Sequence, residues 1–425
     1  MITTTKIKLY PNADQKILLE KHFGSCRFVY NHFLKERDEY YVTHRDAKKS
    51  SLSYIDTAKI LTKLKKEYPW LYEINSQSLQ MSLRILDNAF KNFFHKNTDH
   101  PKFRKKDEND YFAVPQHIII ERNIIRFPKF NEGIYFKGQK EKLKEVKKVN
   151  QIVITKDAGD YFCSIYYEID TELPKKKEPS PKNTIGIDVG LMKFATLSDG
   201  IIVENPRQSK KEEKRIKRLQ RQLSKKKKGS KNFKKQKIKI QRKYRKVRYM
   251  REDFLDKVST AIAKRYDTVF IEDLNVQGMM RLHNLAKSVA DVSLYAFKQK
   301  LQWKCDKYGK NVVEIGRFDP SSKMCSKCGN IKHDLKMSDR TYECDVCGLK
   351  VDRDLNAAIN ILTFGSIKVG LVRSELTPVE IATSSLNGIY PYKHKKAKEK
   401  ENITFRSQSM RIHEYLASFL SFLIF

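Results

Sequence analysis

Acidic residues are heavily outnumbered by basic ones in this chain. Across 425 residues, 50 Asp and Glu face 86 Lys and Arg, a formal net charge of +36. A surplus of that size calls for a polyanionic partner or strong counterion screening. Long apolar runs are also missing. None approaches the ~20 residues that span a bilayer, which weakens a membrane as the partner and leaves nucleic acid. The opening Met1-Ile2-Thr3-Thr4-Thr5-Lys6 has no basic stretch followed by an apolar one, so export by a signal peptide is not expected and the expected location is cytoplasmic, on the nucleoid. Cysteine is sparse as well. Of seven, four form two C-x-x-C pairs, which in a chain without export signals reads as metal binding and not as disulfides. Cys26, Cys163 and Cys305 stand alone and read as buried thiols. Disorder is excluded, because 40% hydrophobic and 11% aromatic residues suffice for a core, and the length fits two or three domains.

The texture along the chain changes three times. Ile7 and Leu9 alternate with Lys6 and Lys8 as in a half-buried strand, and Pro11-Asn12 ends it and starts a helix. Gly24 is expected to stop or bend that helix. Asn75-Ser76 offer N-caps for another, in which Leu79, Leu83, Leu86, Phe90 and Phe94 recur at three- and four-residue spacing. From about 12 to 98 the chain therefore reads as helical. After His100-Pro101, short β-type runs at 118–120, 124–127, 134–136, 152–155 and 161–167 read as a small β-domain that takes in the first strand. Residues 172–181, charged and proline-punctuated, read as a linker. From Thr184 a strand, a hairpin over Asp199-Gly200, and then alternating helix and strand follow the ribonuclease H-like order. The last fifty or so residues carry a Lys-rich stretch and a short apolar end with no assigned role.

Three acids sit in frames that suit metal-dependent hydrolysis of phosphodiesters. Asp188 lies in Gly186-Ile187-Asp188-Val189-Gly190, Glu272 ends the apolar run Thr268–Ile271, and Asp354 opens Leu355-Asn356-Ala357-Ala358. Such hydrolysis uses several carboxylates around two Mg²⁺ ions about 4 Å apart, and Mg²⁺ prefers hard oxygen ligands. An Asp inside an apolar strand is costly unless paired or metal-bound. The small Gly186 and Gly190 would let a phosphate backbone approach. Asp352 is the fallback for the third acid, and Asp273 reads as a surface or cap residue. Cys325, Cys328, Cys344 and Cys347 form a four-thiolate frame with fifteen residues between the pairs and Gly329 and Gly348 after them. With no open position, that frame reads as one structural Zn²⁺, and His333 in its loop is not needed. Between Arg207 and Arg251, 23 Lys or Arg face only Glu212 and Glu213, and Ile216, Leu219, Leu223, Ile238 and Val247 recur among them. This reads as two basic amphipathic helices broken around 224–230, suited to tracking phosphates. Aromatic–basic clusters at Lys102–Lys106 and Arg242–Arg245 could stack bases.

As a set, these motifs, with Leu9-Tyr10-Pro11-Asn12 and Leu83–Phe90, resemble the TnpB (OrfB) proteins of insertion sequences, whose RuvC-like nuclease also appears in type V CRISPR effectors. The likeness covers about 1–375. It implies an α/β multidomain protein: a β wedge domain (1–11 and 99–182), a helical recognition lobe (12–98), a RuvC nuclease core (183–321 and 348–375) with the basic helical insert 205–252, and a zinc-ribbon insert (322–347) that loads the target. Residues 376–425 are left unassigned. It also implies a guide RNA, a double-stranded DNA target beside a short motif, and the catalytic triad Asp188, Glu272 and Asp354, where Mg²⁺ binds. Pro320-Ser321-Ser322-Lys323 departs from the Thr-Ser-Gln often found before the zinc frame. A protein-guided transposase or resolvase of the same fold, and a nuclease-fold DNA-binding regulator, are the rival readings. Neither helix-turn-helix nor finger array is evident that could read a long site, so specificity falls to base pairing with RNA.

Overall fold

The computed structural model describes residues 1–46, 51–108, 110–138, 143, 146–170, 172–281, 283–336 and 338–371. The unassigned tail 376–425 lies outside these described residues. The chain divides into two compact units, one of residues 1–172 with 228–242, the other of 173–227 with 243 onward.

The first unit is built on one antiparallel sheet of seven strands: β1 (Ile2–Tyr10), β2 (Tyr111–Val114), β3 (Ile119–Glu121), β4 (Ile124–Phe127), β5 (Phe130–Lys137), β6 (Lys148–Asp157) and β7 (Asp160–Glu168). Their order is β2-β6-β7-β1-β5-β4-β3, so the first strand lies in the middle, paired with β7 and β5. Ile7 and Leu9 point inward as their alternation requires. The β6–β7 hairpin turns over Ala158 and Gly159, both at positive φ, the geometry that matches the strand twist. Strand β2 was not foreseen, because Tyr111-Phe112-Ala113-Val114 is short and carries no alternation.

Helices α1 (Ala13–Thr43), α2 (Tyr54–Glu67) and α3 (Ser76–Phe94) follow the first strand. Asn12 and Ser53 close capping boxes with Gln15 and Asp56, and Asn75 caps α3. Gly24 does not stop α1, which runs through it for 31 residues. Leu19, Phe23, Cys26, Val29 and Phe33 lie on both sides of Gly24 and enter the same core. Their burial outweighs the ~1 kcal/mol that a mid-helix glycine costs. That core is shared by α1, α3 and the sheet, so the helical block and the β-domain are packed together and do not have separate interiors.

The second unit holds a five-stranded sheet of β8 (Thr184–Val189), β9 (Lys193–Leu197), β10 (Ile202–Glu204), β11 (Thr268–Ile271) and β12 (Asn311–Glu314), ordered β10-β9-β8-β11-β12. The first three pair antiparallel and β11 and β12 join in parallel, which is the ribonuclease H-like arrangement. Two basic helices, α4 (Gln208–Ser224) and α5 (Lys231–Arg265), come between β10 and β11 in the chain, and α5 up to Arg242 belongs to the first unit. Helices α6 (Val276–Arg281), α7 (His283–Val292) and α8 (Leu294–Lys307) lie between β11 and β12. A small hairpin, β13 (Thr341–Glu343) with β14 (Lys350–Asp352), leads into α9 (Arg353–Lys368).

Helix α9 lies directly on β8. A Cβ added at Gly186 would stand 2.2 Å from the Ala358 carbonyl oxygen and 2.5 Å from the Leu362 nitrogen, both backbone atoms that cannot yield cheaply. Gly186 is thus small to admit a helix, not a phosphate. Gly24→Ala, by contrast, meets nothing within 4 Å. In denaturant titrations Gly186→Ala is expected to destabilise the protein by about 1–3 kcal/mol or more, and Gly24→Ala to stabilise it by up to about 1 kcal/mol. A neutral Gly186→Ala would contradict the packing described here.

Candidate active site and metal centre

The parallel register pairs Ile187 of β8 with Ile271 of β11. One residue further along both chains stand Asp188 and Glu272, on neighbouring tracks about 4.8 Å apart. Helix α9 supplies the third acid. Ala358 sits over Gly186; Asp354 lies one helical turn before it and Asp188 two strand residues beyond Gly186. Both steps are about 6 Å, so the two acids meet at the same end of the sheet. Three parts of the sequence thereby place carboxylates in one cluster.

Their electrostatics record this closeness. Asp188 keeps some of its surface open, yet its carboxylate is packed among protein atoms, and loss of solvation raises its pKa well above the usual range. The negative charges of Glu272 and Asp354 push it further the same way. Burial also raises Glu272, opposed by a hydrogen bond from the Ser321 hydroxyl at 2.5 Å. Lys193 on β9 places its ammonium 2.8 Å from Asp352 and 3.3 Å from Asp354.

Asp352 and Asp354 take different tasks. Asp352 is the N-cap of α9, its Oδ1 accepting from the amides of Asp354 and Leu355 at 3.0 and 3.3 Å. Asp354, two residues into the helix, is the one whose charge acts on Asp188. Asp273 turns away to pair with Arg317 at 2.6 Å. Beside Glu272 opens a groove of about 900 Å³, lined by Asn275, Met280, Arg281, Tyr295, Lys298 and Arg317 among others. Of its cations, Lys298 and Arg317 are paired with Asp273.

The four cysteines converge as well. Their sulfurs lie within 4.8 Å of one another, with Cys325–Cys347 and Cys328–Cys344 each at 3.6 Å. A tetrahedron of thiolates around an ion at about 2.3 Å has its corners about 3.8 Å apart, so the set fits one closed, structural metal site. Each pair ends in the same knuckle. Gly329 and Gly348, both at positive φ, donate their amides to the carbonyls of Cys325 and Cys344 at 2.9 and 3.0 Å. Apart from the sulfurs the module buries little besides Tyr342, whose hydroxyl donates to the Lys323 carbonyl at 3.1 Å.

Two buried asparagines tie this module to α9. Asn356 donates to the Met324 carbonyl and accepts from the Ser326 amide, and Asn360 donates to the carbonyls of Ser321 and Met324. Ser321, Lys193, Asn356 and Asn360 were not singled out from the sequence. Ser and Asn have no metal-ligand spacing, and a lysine among 86 basic residues carries no signal of its own. Nor do all the foreseen basic–aromatic clusters face outward. Arg104 is sandwiched between Tyr30 and Tyr111, 3.7 and 4.5 Å from their ring centres, Arg242 donates to the Ala158 carbonyl, and Lys243 pairs with Glu212. These contacts hold the fold.

A ribonuclease H-like sheet with carboxylates clustered at one end, followed by a four-cysteine metal module, defines a class of nucleic-acid nuclease. Comparison with known proteins agrees. The family model described as a probable transposase, OrfB of IS605, matches residues 164–283, and the Cas12f1-like TNB domain matches 295–361. A helix-turn-helix domain model matches 1–46, which here form strand β1 and the single helix α1. A Streptomyces pristinaespiralis protein named "Putative RNA-guided DNA endonuclease" is 34% identical over 85% of this chain and 88% of its own length. The Escherichia coli K12 protein of the same name, InsQ, is 32% identical over 85% of this chain and 91% of its own. The cryo-EM structure of a Cas12f1–sgRNA–target DNA complex shares the fold, with a TM-score of 0.51 at 14% identity, covering 85% of this chain and 98% of that one. The chain belongs to the TnpB (OrfB) family.

The metal module generates a direct expectation. Purified protein should carry one structural metal ion per chain, and a strong chelator should unfold the module, since binding energy is folding energy where the core is this small. Metal analysis with hydrogen exchange at Thr341–Glu343 and Lys350–Asp352 checks it. Metal-free protein with both strands protected would contradict the assignment.

Proposed function

We propose that this chain is an RNA-guided DNA endonuclease of a mobile element, cutting DNA by metal-dependent hydrolysis at Asp188, Glu272 and Asp354. The observation that carries this reading is the convergence of the three acids at one end of the nuclease sheet, in a chain with the charge to hold RNA and DNA. The names of its relatives supply the guidance by RNA. No helix among the described residues is long and apolar enough to cross a membrane.

The three carboxylates fit Mg²⁺: they are hard oxygen donors, and burial raises the pKa of Asp188 and Glu272, with the charges of Glu272 and Asp354 adding to the rise at Asp188. Mg²⁺ held there, as a pair, supplies the Lewis acid for phosphodiester hydrolysis. The chain's own part is to fix the ligands. Ser321 holds one oxygen of Glu272. The Asp352 cap sets the start of α9 and so the aim of Asp354. Lys193 offsets part of the negative charge while leaving Asp188 to the site. The four thiolates suit Zn²⁺, which carries no reaction there and shapes a module proposed to load the target. The wedge (1–11 and 99–182), the helical lobe (12–98) and the basic insert (205–252) are proposed to hold the guide RNA and its duplex through their backbones.

Asp188→Ala, Glu272→Ala and Asp354→Ala should each lower cleavage by about 10³-fold or more, the several kcal/mol a metal supplies at about 1.4 kcal/mol per decade. Binding of guide and target should survive, because removing an acid adds no repulsion to phosphate. Asp352→Asn should lose far less. Cleavage that persists in Asp354→Ala and vanishes in Asp352→Asn would reassign the third acid. The pH dependence has a fixed sign. Asp188 and Glu272 are both raised, so they take up protons, and release metal, at a pH above that of ordinary carboxylates. Single-turnover rates at fixed Mg²⁺ should therefore fall as pH drops, beginning above the ~4 of free side chains, and excess Mg²⁺ should shift the fall to lower pH. A rate that holds steady until the pH reaches the ~4 of free carboxylates would count against it.

A further inference from the structure

The turn between β12 and the metal module carries a ring that the hydrolytic groups do not use. Phe318 is 94% exposed, more than any other large apolar side chain among the described residues. An exposed phenylalanine on a slack loop would fold back onto apolar surface. This one is held away. Asp319 accepts from the Gly316 amide at 2.7 Å, the Ser321 amide donates to the Asp319 carbonyl at 2.7 Å, and Pro320 stiffens the step between them. Both flanks are fastened to the end of β11: Arg317 to Asp273 at 2.6 Å, and Ser321 to Glu272 at 2.5 Å. Phe318 is therefore the crest of a turn strapped at two points to the dipeptide that carries the second acid. It stands three positions before Ser321, which keeps it within about 11 Å of that residue, Cα to Cα.

Its surroundings say what it is held out for. Arg281, Lys298 and Arg317 line the groove beside Glu272, the last two paired with Asp273, and Tyr295 offers a second ring there. A rigid aromatic next to cations that follow a phosphate backbone is how single strands are gripped without regard to sequence: cations take phosphates and the ring takes a base. Bases stacked along one strand are about 3.4 Å apart, so 11 Å corresponds to about three nucleotides.

We propose that Phe318 stacks on a base of the DNA strand within about three nucleotides of the phosphate at Glu272, and so fixes which phosphate is cut. The proposal makes Phe318 a positioning residue and rests on the nuclease reading above.

The test uses the full chain with its guide RNA and compares Phe318→Ala with Phe318→Trp. Neither should change the melting temperature, because the ring is almost wholly in solvent. Phe318→Ala should cut about 5- to 100-fold more slowly, the loss expected for one stacked base, and should spread its cuts over neighbouring phosphates, while Phe318→Trp keeps rate and position. A second readout needs no cleavage. In EDTA, 2-aminopurine placed near the cut position should be quenched by the wild-type complex and by Phe318→Trp, and bright with Phe318→Ala. Unchanged cut position together with unchanged quenching in Phe318→Ala would overturn the proposal. If wild-type protein fails to cut at all, the nuclease reading fails instead, and the fluorescence alone decides the stacking.

Discussion

Everything at the nuclease end of this chain depends on how closely helix α9 lies on strand β8. At Gly186 the helix backbone occupies the place of a side chain. The same closeness recurs at Gly365, where a Cβ would enter the Phe270 ring on β11. The helix is thus seated by two glycines, one in the sheet and one in the helix itself. That seating sets the height of Asp354 against Asp188 and carries the metal module, through Asn356 and Asn360, to the same edge of the sheet. A side chain at Gly186 would lift helix, third acid and module together.

The clustered acids are the opposite kind of feature. Bringing Asp188, Glu272 and Asp354 together under partial burial costs free energy, and the raised protonation of Asp188 and Glu272 is the sign of that cost. The protein counters only part of it. Lys193 attends the Asp354 side and Ser321 gives Glu272 one hydrogen bond. The remaining imbalance is what a divalent cation would relieve, which ties the strain of the site to its chemistry. The contrast with the buried Arg37–Asp87 pair in the first unit is instructive. There a complete ion pair lies under the ring of Phe90, and the charges serve the fold.

The acids and cysteines of the candidate site stand out in the sequence for a physical reason. A carboxylate inside an apolar strand is expensive, and four thiols at C-x-x-C spacing have few structural uses, so Asp188 and the cysteines carry their meaning in their own neighbourhoods. The sheet order was legible because a hairpin series and alternating helix and strand leave few topologies. Other features depend on partners distant in sequence. Gly186 looked like room for phosphate because nothing near it foretells α9, more than 160 positions away. Gly24 looked like a helix end because propensity was visible and the core on both sides of it was not. Ser321 gains its role only where the chain returns to Glu272, and Arg104 reads as a nucleic-acid contact because Tyr30, the ring it lies nearest, is remote in sequence.

On the function proposed above, this protein cuts DNA at sites chosen by a bound RNA. Fixed basic charge binds polyanions without choosing among them, so a long site must be read by base pairing. The most direct measurement maps cut sites on a plasmid carrying two candidate targets, with protein bound to one guide RNA and then to another that differs only in its targeting segment. Cutting should move from the first target to the second, with the protein unchanged. Cutting that stays at the first target, or continues after the RNA is removed, would contradict the account and make the protein itself the reader of its site.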